Sequence, residues 1–442
     1  MSSGKWDPRS GLTDTQAKLE ASRCLMCDDP PCEAACPARV PVKHFIRAIR
    51  FDSPRRAINL IRDRNVLAGI CGIACPVDQL CVGACTSTDL TTPIAIGRLQ
   101  HYAARTELTT GRESLPGPGN GRRIAIIGAG PSGLAAAAQL ARLGHRPTVF
   151  ERSPRPGGIC TYGVPAHRVP QELVGGEIDF IRSLGVEIKT STNFGCSGSI
   201  DELFVDGYQA VYLAFGLQKP ITLNLPGAEL AGVITWKDLL QCFSAFNLCE
   251  GERPHVPASV IIVGGGSVAM DVACAAMHLG AEDIDVVCLE APREMPAYHA
   301  ELDEVWTAGA RFHTRSMPVE VTSKDGKVDG LKATRIRWKE PDKFVPSNAE
   351  RIPGTDYWLP AQMVVWSVGA RPADGLARLL PGVQFDPAGR IIVDPETGAT
   401  SRPGVYAGGD VTTGSGQTIV QAVADGRRAA EAIDAWLKGA AR

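Results

Sequence analysis

Apolar residues recur at helical spacing early in the chain and form short continuous runs later. The segments at 44–49 and 56–61 place apolar side chains three and four residues apart, which predicts short helices. From the run ArgIleAlaIleIle at 123–127 onwards, strand-like stretches alternate with Ala-rich segments of helical pattern. Because this alternation is typical of a parallel sheet, the predicted fold class is α/β, preceded by an α-helical domain.

Breaker residues separate these two parts of the chain. The segment LeuProGlyProGlyAsnGly at 115–121 is rich in Pro and Gly and predicts a domain boundary. We expect a helical domain over 1–119 and an α/β domain built from 120–219 and 372–442. A second α/β domain over 220–371 would be inserted into the first one.

A unit of strand, glycine turn and helix occurs near residue 124. Its motif is Gly-x-Gly-x-x-Gly, and the next strand ends at Glu151. The first glycine makes the tight turn, the second lets the backbone approach a pyrophosphate, and the third allows close packing of helix on strand. Glu151 would accept a hydrogen bond from a ribose hydroxyl. The predicted dinucleotide-binding residues of this unit are Gly128, Gly130, Pro131, Ser132, Gly133 and Glu151.

The same unit recurs near residue 260, with Ala269 in place of the third glycine, an accepted variant. Its next strand ends at Glu290, whose carboxylate can bind both free ribose hydroxyls and would repel a 2′-phosphate. This predicts NAD(H) rather than NADP(H), although the nearby Arg293 complicates the local charge. The predicted binding residues of this unit are Gly264, Gly266, Ser267, Val268, Ala269 and Glu290.

A short strand near the C-terminus ends in Gly409-Asp410, and a helical pattern follows at 417–426. In flavoproteins with two dinucleotide sites, such a strand places the aspartate on the flavin ribityl chain. The helix N-terminus, here Gln417 and Thr418, lies at the pyrimidine edge of the ring, where its dipole stabilises negative charge. The sequence therefore predicts FAD in the first α/β domain. As a plain packing motif, the segment would have no such role.

Eight of the fourteen cysteines form two blocks near the N-terminus, and each block contains a Cys-Pro step. The blocks contain Cys24, Cys27, Cys32 and Cys36, and then Cys71, Cys75, Cys81 and Cys85. Thiolates at this density need a soft metal, and the Cys-Pro ending is a ferredoxin-type signature of iron–sulfur ligation. Zinc is the competing interpretation, but the second block lacks the Cys-x2-Cys knuckle of a zinc ribbon. A disulfide framework is a weaker alternative.

The composition argues against several classes of partner. A formal charge of −2 produces no overall field for nucleic acid or anionic membranes, and no apolar run approaches the length of a membrane span. The segment 1–16 lacks the apolar core of a signal peptide, so we expect a reducing, cytoplasmic location. Seven Lys/Arg residues against two acidic ones between Lys43 and Arg64 indicate solvated helix faces, with a docking face for an acidic partner as the weaker alternative.

Ordered matches along nearly the whole chain resemble the glutamate synthase β-subunit family. They lie at 20–27, 71–76, 81–85, 93–100, 128–133, 156–165 and 407–410. Within this family the chain is most similar to the branch of the NAD-dependent dihydropyrimidine dehydrogenase subunit PreT and the N-terminal half of the long dihydropyrimidine dehydrogenases. The resemblance implies a two-cluster domain joined to an FAD/NAD(P) module, with Gly157 and Gly158 among the FAD-binding residues.

The resemblance also implies how the cysteines sort between two [4Fe–4S] clusters. One cluster would be held by Cys24, Cys27, Cys32 and Cys85. The other would be held by Cys36, Cys75, Cys81 and the amide oxygen of Gln100, so that Cys71 is left as a buried thiol. Gln100 marks the dihydropyrimidine dehydrogenase branch, because glutamate synthase β-subunits have Glu there. A neutral amide makes that cluster one unit less negative and should change its potential.

The expected function is electron transfer from NADH to FAD, then to the clusters and a partner subunit, because a flavin accepts a hydride and releases electrons singly. No catalytic acid, base or nucleophile is predicted. The chain lacks the pyrimidine-reducing half of its longer relatives. A separate PreA-like subunit would therefore hold the uracil or thymine site.

Three alternatives remain at this point. The same module could serve glutamate synthase, an aldehyde oxidoreductase or a ferredoxin. A thioredoxin-reductase-type enzyme would need a cysteine pair beside the flavin, whereas Cys160 has no close partner in sequence and Cys242 and Cys249 fit core or surface thiols better. A non-enzymatic iron–sulfur scaffold or redox sensor conflicts with two intact dinucleotide motifs.

Overall fold

The computed structural model describes residues 11–110, 119, 121–195 and 199–439. Contacts divide the chain into two units. The first comprises Met1–Thr161, Ala166–Leu217 and Pro372–Arg442, and the second comprises Tyr162–Pro165 and Gln218–Arg371. The helical N-terminal segment thus belongs to the same unit as the first sheet. The three-domain limits drawn from the sequence stay a prediction.

The N-terminal segment is helical in the described residues. Its helices are α1 (Asp14–Ser22), α2 (Pro31–Ala34), α3 (Val42–Arg50), α4 (Pro54–Arg62), α5 (Ala68–Ala74) and α6 (Ile96–Thr110). Helices α3 and α4 confirm the two predicted from apolar spacing, and they bury Phe45, Ile46, Ile58 and Ile61 almost completely. Of the eight cysteines in the two blocks, Cys32 lies in α2 and Cys71 in α5, and the other six lie between the helices.

The backbones of α5 and α6 are in contact where the two helices cross, because each helix has a glycine at the crossing point. A Cβ atom added to Gly72 would lie 2.8 Å from the His101 backbone nitrogen, and one added to Gly97 would lie 2.8 Å from the Gly72 carbonyl oxygen. Real Cβ atoms do not approach so closely, so only glycine allows this crossing. The close approach positions the second cysteine block, because Cys71 and Cys75 lie on α5 and at its C-terminal end.

The first unit continues with a parallel sheet and its helices. These elements are β1 (Arg123–Ile127), α7 (Pro131–Arg142), β2 (Arg146–Phe150), α8 (Ile159–Tyr162), α9 (Gln171–Ser183), β3 (Glu187–Lys189), α10 (Ile200–Val205) and β4 (Ala210–Leu213). The β1 strand is apolar and buried after its first residue, as expected for a strand covered on both faces.

The second unit contains a parallel sheet and an antiparallel one. Its elements are β5 (Lys219–Pro220), β6 (Val233–Thr235), α11 (Trp236–Asn247), β7 (Ser259–Val263), α12 (Ser267–Leu279), β8 (Asp283–Val287), α13 (His299–Thr307), β9 (Arg311–His313), β10 (Ser316–Lys324), β11 (Lys327–Trp338), β12 (Ala349–Arg351), β13 (Tyr357–Pro360), β14 (Met363–Trp366) and β15 (Ala370–Arg371). The parallel sheet has the order β6-β14-β7-β8-β9. In the antiparallel sheet, β10, β12 and β13 each pair with β11.

The chain then returns to the first unit with α14 (Leu376–Leu379), β16 (Val405–Ala407) and α15 (Ile419–Gly439). Strand β16 completes the first sheet in the order β16-β4-β1-β2-β3, with every pairing parallel. Helix α15 packs on α7 at Gly426, where an added Cβ atom would lie 2.1 Å from the Ser132 carbonyl oxygen. This packing brings the Gly409-Asp410 turn to the start of α7.

Candidate redox centre: two cysteine sets and two dinucleotide turns

Four cysteines from both blocks line one small cavity in the helical segment. They are Cys24, Cys27, Cys32 and Cys85. Apolar side chains, among them Val42, Ile46 and Ile94, form the rest of its wall. The cavity therefore brings together the four cysteines that the resemblance assigned to one cluster. Their role as ligands stays a prediction.

Burial favours the protonated form of two thiols in this first set. It raises the pKa of Cys24, and it raises the pKa of Cys32 to about 12, with the neighbouring Cys85 and Glu33 adding to the effect. Without a metal these two thiols are protonated at neutral pH. A soft metal that binds sulfur strongly must displace the protons, and the all-thiol donor set fits an iron–sulfur cluster.

The second set surrounds the end of α5. Burial raises the pKa of Cys36, and it raises that of Cys81 to about 12, where Cys36 adds to the shift. A hydrogen bond with the Cys71 thiol, together with burial, holds the pKa of Cys75 well above its usual value. The structure thus places Cys71, which the resemblance left without a ligand role, against Cys75 and close to Cys36, two of the three cysteines of the second predicted cluster.

Gln100 lies on α6, which crosses α5, the helix that contains Cys71. Its side chain is buried, and its amide Nε2 donates a hydrogen bond to the carbonyl oxygen of Ala68 on α5 at 2.7 Å. An isolated glutamine on a helix would normally be solvated, so the fixed amide indicates a structural or ligating role. The assignment of its oxygen as an iron ligand stays a prediction.

A buried ion network joins the helical segment to the first sheet domain, and the sequence patterns do not reveal it. Arg62 on α4 donates to Glu107 on α6, with Nη2–Oε2 at 2.6 Å, and to Glu177 on α9 at 3.3 Å. Glu177 also accepts a hydrogen bond from the Gly69 backbone nitrogen at 2.9 Å. Burial alone would lower the pKa of Arg62, but the two carboxylates outweigh it and raise that pKa.

The first glycine turn has the geometry that its motif requires. Gly128 has φ +105°, and a Cβ atom there would lie 2.4 Å from the Ala214 carbonyl oxygen. A Cβ on Gly133 would lie 2.0 Å from the Gly128 carbonyl oxygen, whereas a Cβ on Gly130 would meet nothing within 4 Å. Gly130 is the N-cap residue of α7, and no side chain caps this helix. An open, uncapped helix N-terminus fits a pyrophosphate.

The other predicted residues of this site surround the same turn. Glu151 is buried, and its carboxylate accepts hydrogen bonds from the Ala129 and Ser153 backbone nitrogens, each at 2.8 Å. Gly157 and Gly158 both have positive φ, and a Cβ on Gly158 would lie 2.8 Å from Gly130 Cα. A carboxylate oxygen fixed in this way retains a lone pair for a ribose hydroxyl.

The C-terminal segment reaches the same region. A Cβ on Gly409 would lie 3.0 Å from Ser132 Cβ, and the Gly409 backbone nitrogen donates to Asp425 at 3.2 Å. Burial raises the pKa of Asp410 to about 6, and the nearby Asp425 adds to the shift. Thr418 caps α15 by accepting a hydrogen bond from the Gln421 backbone nitrogen at 3.2 Å.

The residues just before α15 complete this arrangement. Gln417 is exposed and has φ +50°. The Ser415 hydroxyl is buried and has no hydrogen-bond partner among the described residues. Such an orphaned polar atom is typical of a site that a ligand completes. The donor set around the first turn therefore fits FAD.

The second glycine turn repeats the first in the second unit. Gly264 has φ +140°, and a Cβ there would lie 2.3 Å from the Ser367 carbonyl oxygen. Gly266 begins α12 without a side-chain cap, and the three predicted residues Ser267, Val268 and Ala269 form its first turn. The Ser367 hydroxyl is buried without a partner in the described part of the chain. This turn also fits a dinucleotide.

Glu290 lies just beyond β8 and faces this turn. A Cβ added to Gly265 would lie 2.9 Å from Glu290 Oε2, and burial raises the pKa of Glu290. Arg293, which complicated the charge argument, is exposed. Two residues that the sequence patterns missed, Glu294 and Arg315, form an ion pair of 2.5 Å nearby.

The remaining cysteines offer little for disulfide exchange. The thirteen cysteines in the described ranges are all free thiols. Cys160 is buried, and burial raises its pKa, whereas Cys242 and Cys249 are exposed. A reactive cysteine normally has a lowered pKa and partial exposure.

Among the residues that the structure describes, no helix combines the length and apolar character that crossing a bilayer requires.

Two family models match the chain, one on each side of the breaker segment. Residues 6–112 match the model for domain II of dihydropyrimidine dehydrogenase, described as a 4Fe-4S cluster domain. Residues 122–426 match the model described as pyridine nucleotide-disulphide oxidoreductase. Together with the two parallel sheets, these matches confirm the predicted fold class of a helical iron–sulfur domain followed by Rossmann-like domains.

Three curated relatives illustrate what the chain is similar to. The glutamate synthase [NADPH] small chain of Escherichia coli is 32% identical over 97% of this chain and 93% of the relative. The NAD-dependent dihydropyrimidine dehydrogenase subunit PreT of Escherichia coli is 34% identical over 97% of this chain and 96% of the relative. The NADP(+)-dependent formate dehydrogenase subunit beta of Moorella thermoacetica is 34% identical over 92% of this chain, which spans 60% of that relative.

Solved structures share the fold at lower identity. FprA of Mycobacterium tuberculosis in complex with NADPH superposes with a TM-score of 0.60 at 20% identity, covering 73% of this chain and 86% of FprA. The thioredoxin reductase of T. acidophilum superposes with a TM-score of 0.53 at 21% identity, covering 71% and 98%. At these identities the likeness concerns the fold alone.

Proposed function

The chain belongs to the pyridine nucleotide-disulphide oxidoreductase family and to its group of glutamate synthase small chains and PreT subunits, and we propose that it is the NADH-oxidising subunit of a multi-subunit enzyme. Membership confirms the predicted resemblance. It also confirms the prediction of an enzyme: the chain is an FAD- and NAD(P)-dependent oxidoreductase subunit that transfers electrons through 4Fe-4S chemistry. The number of clusters, NADH and the partner are the proposal.

One observation carries this proposal: helix α5, which contains Cys71 and is capped by Cys75, packs directly on the domain with the first dinucleotide turn. A Cβ added to Gly69 on α5 would lie 2.6 Å from Leu173 Cδ1 on α9, and the Gly69 backbone nitrogen donates to Glu177. Backbone and side chains therefore touch without a gap at this junction. Such contact supports electron transfer within one chain.

The residues of the chain have distinct tasks in this proposal. Thiolates of the two cysteine sets would hold two clusters, with Gln100 as the remaining ligand of the second. The open N-terminus of α7 would bind the pyrophosphate of FAD and Glu151 its ribose, and the N-terminus of α15 would stabilise negative charge on the flavin. When bound, flavin and clusters together convert two-electron into one-electron transfer.

We propose NADH as the electron donor. Glu290 faces the second turn, where a carboxylate favours two free ribose hydroxyls over a 2′-phosphate. The named relatives use either coenzyme, so their names do not decide the choice. The charge at Glu290 is the supporting observation.

We propose that the partner is a PreA-like subunit that reduces uracil or thymine. The buried amide of Gln100, the marker of the dihydropyrimidine dehydrogenase branch, supports this choice over glutamate synthase. The second candidate keeps the chemistry and changes the client, because relatives of similar identity are subunits of glutamate synthase and formate dehydrogenase. An aldehyde oxidoreductase or a ferredoxin would be a client of the same kind.

The proposal is tested on protein purified without oxygen. We expect bound FAD, iron and acid-labile sulfide for two clusters, and reduction of an artificial dye with NADH at a kcat/KM at least about tenfold above that with NADPH. A clear preference for NADPH would refute the coenzyme assignment. Zinc without acid-labile sulfide would refute the electron-transfer scheme itself.

A further inference from the structure

We propose that Glu294 is a specificity-determining residue, because it holds the Arg315 guanidinium in an ion pair and so keeps it from binding a 2′-phosphate. This inference rests on the proposed use of NADH and adds a second residue to Glu290. The two residues would act differently. Glu290 repels the phosphate directly, whereas Glu294 withholds the cation that would attract it.

The backbone places Arg315 beside Glu290. The residues after β9 run next to those after β8, with the Arg315 backbone nitrogen 3.3 Å from the Glu290 carbonyl oxygen and the Ser316 nitrogen 2.9 Å from that of Cys288. The carboxyl end of the second strand is where a dinucleotide fold meets the adenosine ribose. Arg315 lies just after β9, the strand next to β8, and so it lies at the end of the site where the adenosine ribose would bind.

Two contacts fix the Arg315 side chain. Its Nη2 lies 2.5 Å from Glu294 Oε1, and its guanidinium carbon lies 5.4 Å from the centre of the Trp338 ring. Arg315 is one-third exposed and Glu294 is 16% exposed, so the pair is only partly screened by water. An arginine held by a carboxylate on one side and an aromatic ring on another has lost much of its freedom to reach a phosphate.

Glu294 itself is held in place. Its second oxygen, Oε2, accepts hydrogen bonds from the Ala291 backbone nitrogen at 2.9 Å and from Trp338 Nε1 at 3.1 Å. Both carboxylate oxygens are thus in use, one toward the backbone and ring and the other toward Arg315. This arrangement preorganises Glu294 as an anchor for the guanidinium.

Arg315 nevertheless keeps the capacity to bind a ligand. Its Nη1 is buried and makes no hydrogen bond with any described residue. A guanidinium with a free donor is a strong partner for phosphate, since it can bind two oxygens at once. Near the ribose, however, two carboxylates, Glu290 and Glu294, oppose this one partly buried cation. The local charge therefore disfavours a 2′-phosphate unless a carboxylate is neutralised.

The variant that tests this is Glu294→Gln, which keeps an oxygen for Ala291 and Trp338 but removes the charge that holds Arg315. Two probes that differ only in the 2′-phosphate, 5′-AMP and 2′,5′-ADP, are titrated calorimetrically into the full-length, anaerobically purified protein. Glu294→Gln should bind 2′,5′-ADP about tenfold more tightly than wild type and leave 5′-AMP binding within about twofold. The double variant Glu294→Gln/Arg315→Met should lose the gain.

Glu320→Gln is the matched control. Glu320 forms an ion pair of 2.7 Å with Lys332 on the antiparallel strands of the same unit, and both side chains are well exposed. Removing that charge should change the affinity of neither probe. Glu294→Asp, with a carboxylate one methylene shorter, is the second variant in case the glutamine variant does not fold. It should shift 2′,5′-ADP binding in the same direction by a smaller factor.

The outcomes separate this inference from the proposed function. If wild type favours 5′-AMP and NADH but both Glu294 variants bind 2′,5′-ADP no better, the inference is overturned and the NADH proposal stands. If wild type already favours 2′,5′-ADP, both are overturned. A gain that persists after Arg315→Met would also overturn the inference, because another cation would then bind the phosphate.

Discussion

At the scale of single residues, one neutral side chain, that of Gln100, is the proposed fourth ligand of the second cysteine set. Gln100 is buried and its amide nitrogen is committed to the Ala68 carbonyl oxygen, so its own oxygen is directed by that hydrogen bond. Cys71 lies against Cys75 in the same set, and the hydrogen bond between the two sulfur atoms raises the pKa of Cys75. Hydrogen bonds and ligand charge are both known to set the potential of an iron–sulfur cluster.

The Gln100→Cys variant tests the ligand role of Gln100. A thiolate in place of a neutral amide adds one negative charge to the cluster, so its reduction potential should become more negative. A redox titration followed by EPR measures this change. Gln100→Glu, which places the residue of glutamate synthase β-subunits there, should shift the potential in the same direction. An unchanged titration and spectrum in both variants would remove Gln100 from the ligands.

At the scale of elements, the network around Arg62 connects five helices, α4, α5, α6, α7 and α9. Arg62, Glu107 and Glu177 are each at most 5% exposed, and the Arg62 guanidinium also lies 4.1 Å from the centre of the Phe180 ring. Arg142 on α7 adds a hydrogen bond to the Arg62 carbonyl oxygen at 2.8 Å. The iron–sulfur helices are therefore attached to the first sheet domain by buried charges as well as by apolar packing.

Breaking this network should destabilise the junction. Arg62→Met removes the guanidinium that pairs with two buried carboxylates, which should lower the free energy of unfolding by about 3–5 kcal/mol. Arg337→Met is the control, because its ion pair with Glu350 is exposed and should contribute less than about 1 kcal/mol. Chemical denaturation of both variants measures the difference. Equal effects would show that the buried network does not stabilise the junction.

At the scale of the whole molecule, the described residues provide two dinucleotide turns and two thiol sets. The proposed function divides the reaction between this chain and a partner polypeptide. Relatives that are named as subunits support such a division. The chain would supply electrons, and its partner would supply the substrate site.

This division is tested by substrate turnover. With NADH, the isolated chain should reduce dyes but leave uracil and thymine unchanged, because neither would have a binding site on it. Adding the partner subunit that co-purifies from the native host should start pyrimidine reduction. Turnover of uracil by the isolated chain would contradict the proposal.

Several features were predictable because their signals are local in sequence. The spacing of the glycines predicted two turns in which only glycine fits, and Gly128 and Gly264 have the positive φ that such turns require. Apolar spacing predicted α3 and α4. The Cys-Pro blocks predicted thiol clustering, and the structure brings Cys24, Cys27, Cys32 and Cys85 around one cavity.

Other features could not be predicted, because their partners are distant in sequence and carry no motif. Arg62 pairs with Glu107, which is 45 residues away in the sequence, and with Glu177, which is 115 residues away. Arg315 lies 21 residues from Glu294, on a different strand end. A charged residue on a helix or loop is usually solvated, so nothing in the sequence distinguishes these five residues from the charged residues at the surface.

The sequence by itself determined the α/β class, the two dinucleotide turns and the density of thiols, since these follow from backbone conformations and donor types that neighbouring residues impose. Only the tertiary structure decided which charges are buried together, that Cys71 lies against Cys75, and that Glu294 holds Arg315. Those pairings depend on how strands and helices pack in space. Packing joins residues whose separation along the chain carries no periodic signal.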